Sequence, residues 1–111
     1  MTGNEYQKLA LRTAPEGLSD KELLTNGALG LAGEGGEVAD AVKKYRYQGH
    51  ELDRAHVAKE LGDISWYIAI ASHAIGYDLD TILQMNVDKL KARYPDGFNV
   101  ECSVNRKVGD D

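Results

Sequence analysis

The stretch GLAGEGGEVAD at residues 30–40 decides the fold of this chain, together with KELGDISWY at residues 59–67. Each stretch holds two acids three positions apart, which in a helix project from adjacent turns of one face. These acids are Glu34, Glu37, Glu60 and Asp63. The two pairs are placed symmetrically about Gln48 and Gly49. Two antiparallel helices folded about that junction would bring all four acids to one level.

Four carboxylates at one level repel one another, by about 1 to 4 kcal/mol per pair near 4 Å depending on screening. A chain tolerates this repulsion when a cation lies between the acids. Carboxylate oxygens are ligands that suit Mg²⁺ or Mn²⁺. The pattern therefore predicts a divalent metal site in a helical hairpin, while the alternative is an ordinary solvated acidic face.

Composition limits the class of protein. A chain of 111 residues is the size of one domain. Its net charge of −5 argues against a nucleic-acid groove, which needs a basic patch, but not against a nucleotide whose phosphates a metal neutralises. Cys102 has no partner for a disulfide, which indicates a reducing, cytoplasmic location. We find neither a signal-like leader nor an apolar run of about 18 residues, and so expect no secretion and no membrane span.

Capping signals and apolar periodicity predict an all-α chain, a bundle of four to five helices. Ser19 and Glu22 form a capping-box pattern, and Asp53 and Asp78 are further N-cap candidates. We expect a loop or an arm at 96–111. The predicted helices cover residues 4–13, 20–48, 54–75 and 79–94.

Each long helix has an apolar stripe that we expect to face the core. In the second helix the predicted stripe is Leu24, Ala28, Leu31, Gly35, Val38, Val42 and Tyr45. Glycines lie within this helix near its acids, and each destabilises the helix by about 1 kcal/mol relative to alanine. Either packing offsets this cost or the helix breaks there. The third helix is apolar almost all round near Trp66, which predicts a subunit interface on that side.

The fourth helix carries polar groups on and beside its stripe of Leu79, Leu83, Asn86 and Leu90. Asn86 lies in the stripe, and Lys89 and Arg93 lie on its shoulder. An amide and two cations along one edge could hold phosphate oxygens. Alternatively, Asn86 bonds within the core while the two cations extend into solvent.

Three segments together resemble the MazG-like nucleoside triphosphate pyrophosphohydrolases of the all-α NTP pyrophosphatase superfamily. Besides the two stretches above, the third is NVDKLKARYP at residues 86–95. The acids match the family signature E-x-x-E followed by E-x-x-D. The resemblance spans about residues 4–95, so we take 1–95 as the pyrophosphohydrolase domain.

The resemblance implies that Glu34, Glu37, Glu60 and Asp63 bind Mg²⁺, and that a metal-activated water cleaves a nucleoside triphosphate between its α and β phosphates. It implies that Asn86, Lys89 and Arg93 contact phosphate or ribose, with Lys44 as a further candidate. Glu37 is our choice for the carboxylate that takes the proton of the water. Completion of the bundle by a partner subunit, as a homodimer or homotetramer, is also implied.

Two alternatives stay open. One is a narrower enzyme, similar to dimeric dUTPases or to phosphoribosyl-ATP pyrophosphohydrolase. The other is a non-catalytic helical adaptor that keeps the fold and binds a partner through the apolar side of the third helix. A di-iron bundle is set aside because the chain lacks the Glu-x-x-His element of such sites.

Overall fold

A computed structural model describes residues 1–111 and contains five helices and no strand. The all-α prediction is confirmed. The helices are α1 (Gly3–Leu11), α2 (Asp20–Tyr47), α3 (Arg54–Ala74), α4 (Leu79–Arg93) and α5 (Val100–Val104). The first four correspond to the predicted helices, whereas α5 adds a short helix within the predicted loop or arm at 96–111.

The predicted capping residues begin the helices as expected. The Ser19 hydroxyl accepts a hydrogen bond from the Glu22 N–H, and the Glu22 side chain reaches back to complete the capping box. Asp53 and Asp78 cap α3 and α4 in the same way, each through one carboxylate oxygen. After α3, Gly76 has φ +82°, a left-handed conformation that favours glycine and ends the helix.

Helices α2 and α3 form an antiparallel hairpin whose contact depends on two glycines. A Cβ at Gly27 would lie 2.9 Å from Cβ of Ala71, and a Cβ at Gly30 would overlap the ring of Tyr67. The absence of these side chains lets the two backbones approach closely. Helix α2 therefore runs unbroken through its glycines, and packing accounts for two of them.

The close approach at the glycines changes which face of α2 is inside. Leu23 and Gly27 are buried, while Leu24 is 39% exposed and Leu31 is 37% exposed. Leu24 and Leu31 each follow a residue of the α3-facing side by one position, which turns them about 100° away from it. The stripe predicted on α2 is therefore wrong for the single chain. The face that contacts α3 includes Gly27 and Gly30, whereas Leu24 and Leu31 point away from it.

The stripe predicted on α4 is also largely outside. Leu79 is 7% exposed, but Leu83 is 50% and Leu90 is 40% exposed. Asn86, expected within a buried stripe, is exposed as well. This helix packs against α1 and α3 chiefly near its beginning, where Asp80 and Leu83 lie beside Gly3.

Helix α1 is held across the end of the hairpin by a buried amide. The Gln7 side chain donates to the carbonyls of Ala69 and Tyr77, at 3.1 and 3.2 Å, and accepts from the Leu79 N–H at 2.9 Å. These bonds join α1, α3 and the start of α4.

Trp66 also joins α1 to α3. Its indole N–H donates to the Ala10 carbonyl at 3.1 Å and to the Thr13 hydroxyl at 2.8 Å. The subunit interface expected on the Trp66 side stays a prediction, and within the chain α1 contacts the polar edge of this side chain. No helix is both long and apolar enough to span a membrane.

Candidate functional site

The hairpin brings three of the four predicted acids together. Glu34 on α2 and Glu60 and Asp63 on α3 each place a carboxylate oxygen within 4.8 Å of the others. Glu34 lies seven positions after Gly27 and four after Gly30, so it continues the face that contacts α3. Two acids in adjacent turns of α3 face it from the other side. We call these three residues the acid cluster.

Glu60 is a largely enclosed member of the acid cluster. Its side chain is 16% exposed, and its Oε1 lies 3.4 Å from Nε2 of His56. The other oxygen, Oε2, is buried without a hydrogen-bond partner. A buried carboxylate oxygen without a partner is costly. The acid cluster therefore offers the donor set and the unsatisfied oxygen that a divalent cation would complete.

Crowding of the acids changes the protonation of Glu34. A hydrogen bond with Glu60 and then desolvation raise the pKa of Glu34 to about 7, and the charges of Glu60, Asp63 and Glu37 act in the same direction. A hydrogen bond between two carboxyl groups requires one of them to carry a proton. Without a cation, the crowding of the acids therefore favours a proton on Glu34, at the place where a cation would bind.

Helix α1 adds a side chain that the sequence analysis did not include in the site. Burial raises the pKa of Tyr6, and the nearby charge of Asp63 raises it further. The Tyr6 ring packs against the core at Ala10, Ala69 and Leu79. Its phenol therefore has a fixed position near the exposed member of the acid cluster.

The fourth predicted acid, Glu37, lies outside the cluster. It is exposed and lines a neighbouring cavity of about 240 Å³ beside the turn that connects α2 to α3. Lys44 lines the same cavity, and its Nζ is 2.9 Å from Oδ2 of Asp40. That bond raises the pKa of Lys44, with a smaller contribution from Glu37. Asp40 and His56 are members of this region that the sequence analysis missed, although both lie three or four positions from a predicted acid.

The three predicted substrate-binding residues on α4 lie together, but not with the acids. Asn86, Lys89 and Arg93 line a cavity of about 710 Å³ between α4 and the segment after α5. None of the four acids lines that cavity. The single chain thus contains an acidic centre on α2 and α3 and a separate basic region on α4.

Comparison with known proteins decides the family. The model of the MazG nucleotide pyrophosphohydrolase domain matches residues 24–98. The chain belongs to the MazG family. The matched range includes every residue of the acid cluster as well as Asn86, Lys89 and Arg93.

A relative from Mycobacterium phage L5, named "Gene 37 protein", is 35% identical over 82 residues. The alignment covers 70% of this chain and 72% of the phage protein. No solved structure matches the MazG chain.

Proposed function

We propose that this MazG-family chain hydrolyses nucleoside triphosphates between the α and β phosphates, giving a nucleoside monophosphate and pyrophosphate. The observation that carries the proposal is the acid cluster of Glu34, Glu60 and Asp63 in a chain of this family. Its crowded carboxylates and the buried, unpartnered Oε2 of Glu60 fit a site for Mg²⁺, with Mn²⁺ as a substitute.

In the proposed reaction each acid has a defined part. Glu34, Glu60 and Asp63 would hold Mg²⁺, which when bound would lower the pKa of a water and neutralise charge on the phosphates. Glu37, one turn beyond Glu34, is a further ligand or takes the proton of the water. Its exposed side chain is free to turn towards the cluster, since no hydrogen bond or ion pair holds it.

We further propose that Asn86, Lys89 and Arg93 contact the phosphates or the ribose, and that Lys44 supports them from α2. Phosphoryl transfer depends on positioning and on charge neutralisation, which an amide and several cations can supply. In the single chain these α4 residues line a cavity apart from the acid cluster, so the proposal requires that the two regions meet when substrate is bound. The extent of the enzyme domain is proposed as 1–95, with 96–111 as an appended segment.

The shape of the single chain supports a homo-oligomer. Its accessible surface is 8221 Å², whereas a compact monomer of 12.2 kDa would expose about 6,100 Å². Its radius of gyration is 16.9 Å, against about 13 Å for a compact domain of this length. The excess of about 2,100 Å² is of the size that a subunit buries in obligate homodimers.

The exposed apolar side chains of α2 and α4 are the proposed contact surface between subunits. They are the large members of the two stripes, namely Leu24, Leu31, Val42, Tyr45, Leu83 and Leu90. A periodic stripe that the chain itself does not bury is a surface that a second copy would cover.

The deciding experiment measures pyrophosphate release from a panel of canonical and modified nucleoside triphosphates, with Mg²⁺ and with a chelator. We expect metal-dependent release that Glu60→Gln abolishes and Glu16→Gln, an exposed loop acid, does not. No release from any nucleotide would overturn the enzymatic proposal. A melting temperature indifferent to Mg²⁺, Mn²⁺ and nucleotide would favour the helical adaptor instead.

A further inference from the structure

The segment after α5 folds back on α4 and encloses a locally positive cavity. Four cationic side chains line this cavity against two carboxylates, although the chain as a whole has a net charge of −5. The cationic residues are Lys89, Arg93, Arg106 and Lys107, and the carboxylates are Asp110 and Asp111. Two of the cations come from α4 and two from the segment that folds over it.

One ion pair closes this cavity. Arg93 Nε donates to Asp110 Oδ2 at 2.8 Å, and Arg93 Nη2 donates to Asp110 Oδ1 at 2.6 Å. The two side chains are 9% and 16% exposed. Asp110 therefore occupies the two-pronged edge of the guanidinium, which is the edge that would receive two oxygens of a phosphate.

Asp110 resembles a bound anion in its surroundings as well. Hydrogen bonding to Arg93 lowers its pKa, and the charges of Arg93, Arg106 and Lys89 lower it further. A carboxylate among three cations takes the place that an oxygen of a polyphosphate would take. The Asp110 carboxylate of the segment thus fills the position in the basic region of α4 that an external anion would take.

Few other contacts hold the segment in place. Val108, the one large apolar residue at 105–111, is fully exposed, and Val104 at the end of α5 is 74% exposed, so apolar burial contributes little there. The ring of Phe98 lies 5.4 Å from that of Tyr94, between centroids, but is itself 76% exposed. The closed position of the segment therefore depends mainly on the ion pair between Asp110 and Arg93. An anion of higher charge can compete with Asp110 for Arg93.

We infer that Asp110 is an internal competitor for phosphate at Arg93, so that the segment at 105–111 is a latch which a polyphosphate opens. The ligand class is an inorganic or nucleotide di- or triphosphate, whose oxygens match the guanidinium that Asp110 occupies. This inference rests on the proposed function in one respect, since it takes Arg93 as a phosphate ligand. The inference adds that Asp110 covers Arg93 when no polyphosphate is bound.

The test is the affinity for inorganic pyrophosphate, measured by calorimetry on the full chain. Asp110→Asn removes the charge of the latch with little change in shape, and Asp111→Asn removes an equal charge from the same cavity without touching Arg93. Because the apparent affinity of a masked site is its intrinsic affinity multiplied by the open fraction, an open fraction of about one third to one thirtieth means that Asp110→Asn should tighten binding about three- to thirtyfold. For Asp111→Asn we expect a change of less than about twofold.

Hydrogen exchange on the unmodified chain gives an independent readout. The Asp110 N–H donates to the Lys107 carbonyl at 3.0 Å in the closed segment. Saturating pyrophosphate should speed exchange at 107–111 and leave the hairpin unchanged. Binding that is unaltered or weaker in Asp110→Asn than in Asp111→Asn, or slower exchange at 107–111 on binding, would overturn the latch.

Failure of the latch is separable from failure of the proposed enzyme. Tighter pyrophosphate binding by Asp110→Asn, in a chain that hydrolyses no nucleotide, supports the latch and counts against the enzyme. Metal-dependent hydrolysis with no difference in affinity between the two variants supports the enzyme and overturns the latch.

Discussion

Glu34 on α2 and Glu60 on α3 face each other across the hairpin with carboxylate oxygens within 4.8 Å, and the interaction with Glu60 raises the pKa of Glu34 to about 7. The two residues are 26 positions apart in the chain, and they meet because Gly27 and Gly30 let α2 approach α3 closely. The close approach of α2 to α3 at the two glycines thus fixes the packing of the hairpin. It also brings together the acids whose interaction raises the pKa of Glu34.

The first prediction concerns pH. The pKa of Glu34 in the folded chain lies above its ordinary value of 4.5. The folded state therefore binds more protons than the unfolded state between these values, and stability without metal should fall as pH rises from about 4.5 to 7. Thermal melts in a chelator at pH 4.5 to 8 measure this slope, and Glu34→Gln should reduce it. With saturating Mg²⁺ the stability should instead rise over this range, because metal binding releases the proton.

The second prediction tests the metal ligands without any assay of turnover. Mg²⁺ at about 100 times its dissociation constant should stabilise the chain by about 2.7 kcal/mol. Glu60→Gln should remove this response while leaving the metal-free melting temperature equal or higher, since it removes a charge from the crowded cluster. Glu101→Gln, on α5, is the matched control and should keep the response. A full Mg²⁺ response in Glu60→Gln would mean that the cluster is not the metal site.

The third prediction compares two glycines on α2. Gly30→Ala should destabilise the chain by about 2 to 4 kcal/mol, because the added methyl overlaps the Tyr67 ring and forces the helices apart. Gly36→Ala meets no atom within 4 Å and should stabilise by about 0.5 to 1 kcal/mol, through the loss of backbone entropy in the unfolded chain. Urea denaturation of both variants measures the two free energies of unfolding, and equal effects would contradict the close packing of α2 on α3 at Gly30.

The fourth prediction concerns the buried amide of α1. Gln7→Leu keeps the side-chain volume but leaves the buried Leu79 N–H without its acceptor and removes the amide donor to the Ala69 and Tyr77 carbonyls, which should cost about 2 to 4 kcal/mol of stability. Gln84→Leu, on the exposed face of α4, should change stability by less than about 0.5 kcal/mol. Chemical denaturation distinguishes the two.

The fifth prediction concerns assembly. If the exposed stripes of α2 and α4 are the subunit contact, Leu31→Glu or Leu83→Glu should reduce the mass in solution to the 12.2 kDa of one chain. Val108→Glu, on the fully exposed tail, should leave the mass unchanged. Light scattering after gel filtration gives the mass, and an unmodified chain that is already monomeric would exclude the proposed interface.

Local features of the structure were predictable from the sequence alone. The start of α2 at Ser19 and the end of α3 before Gly76 depend on hydrogen bonds and dihedral angles within a few residues. The pairing of Glu34 with Asp63 follows from equal spacing about one turn of an antiparallel hairpin. The metal-binding hypothesis rests on this local regularity.

Tertiary structure alone decided which faces are buried and which charges meet. Two glycines allow a closer approach than the leucines beside them, so α3 packs on the Gly27 face and leaves Leu24 and Leu31 outside. Similarly, the segment after α5 has no periodic pattern that indicates where Asp110 will lie, and its place beside Arg93 results from the folding back of the chain. Steric fit between helices and pairing of distant charges depend on residues far apart in sequence, whereas caps and turns depend on neighbours.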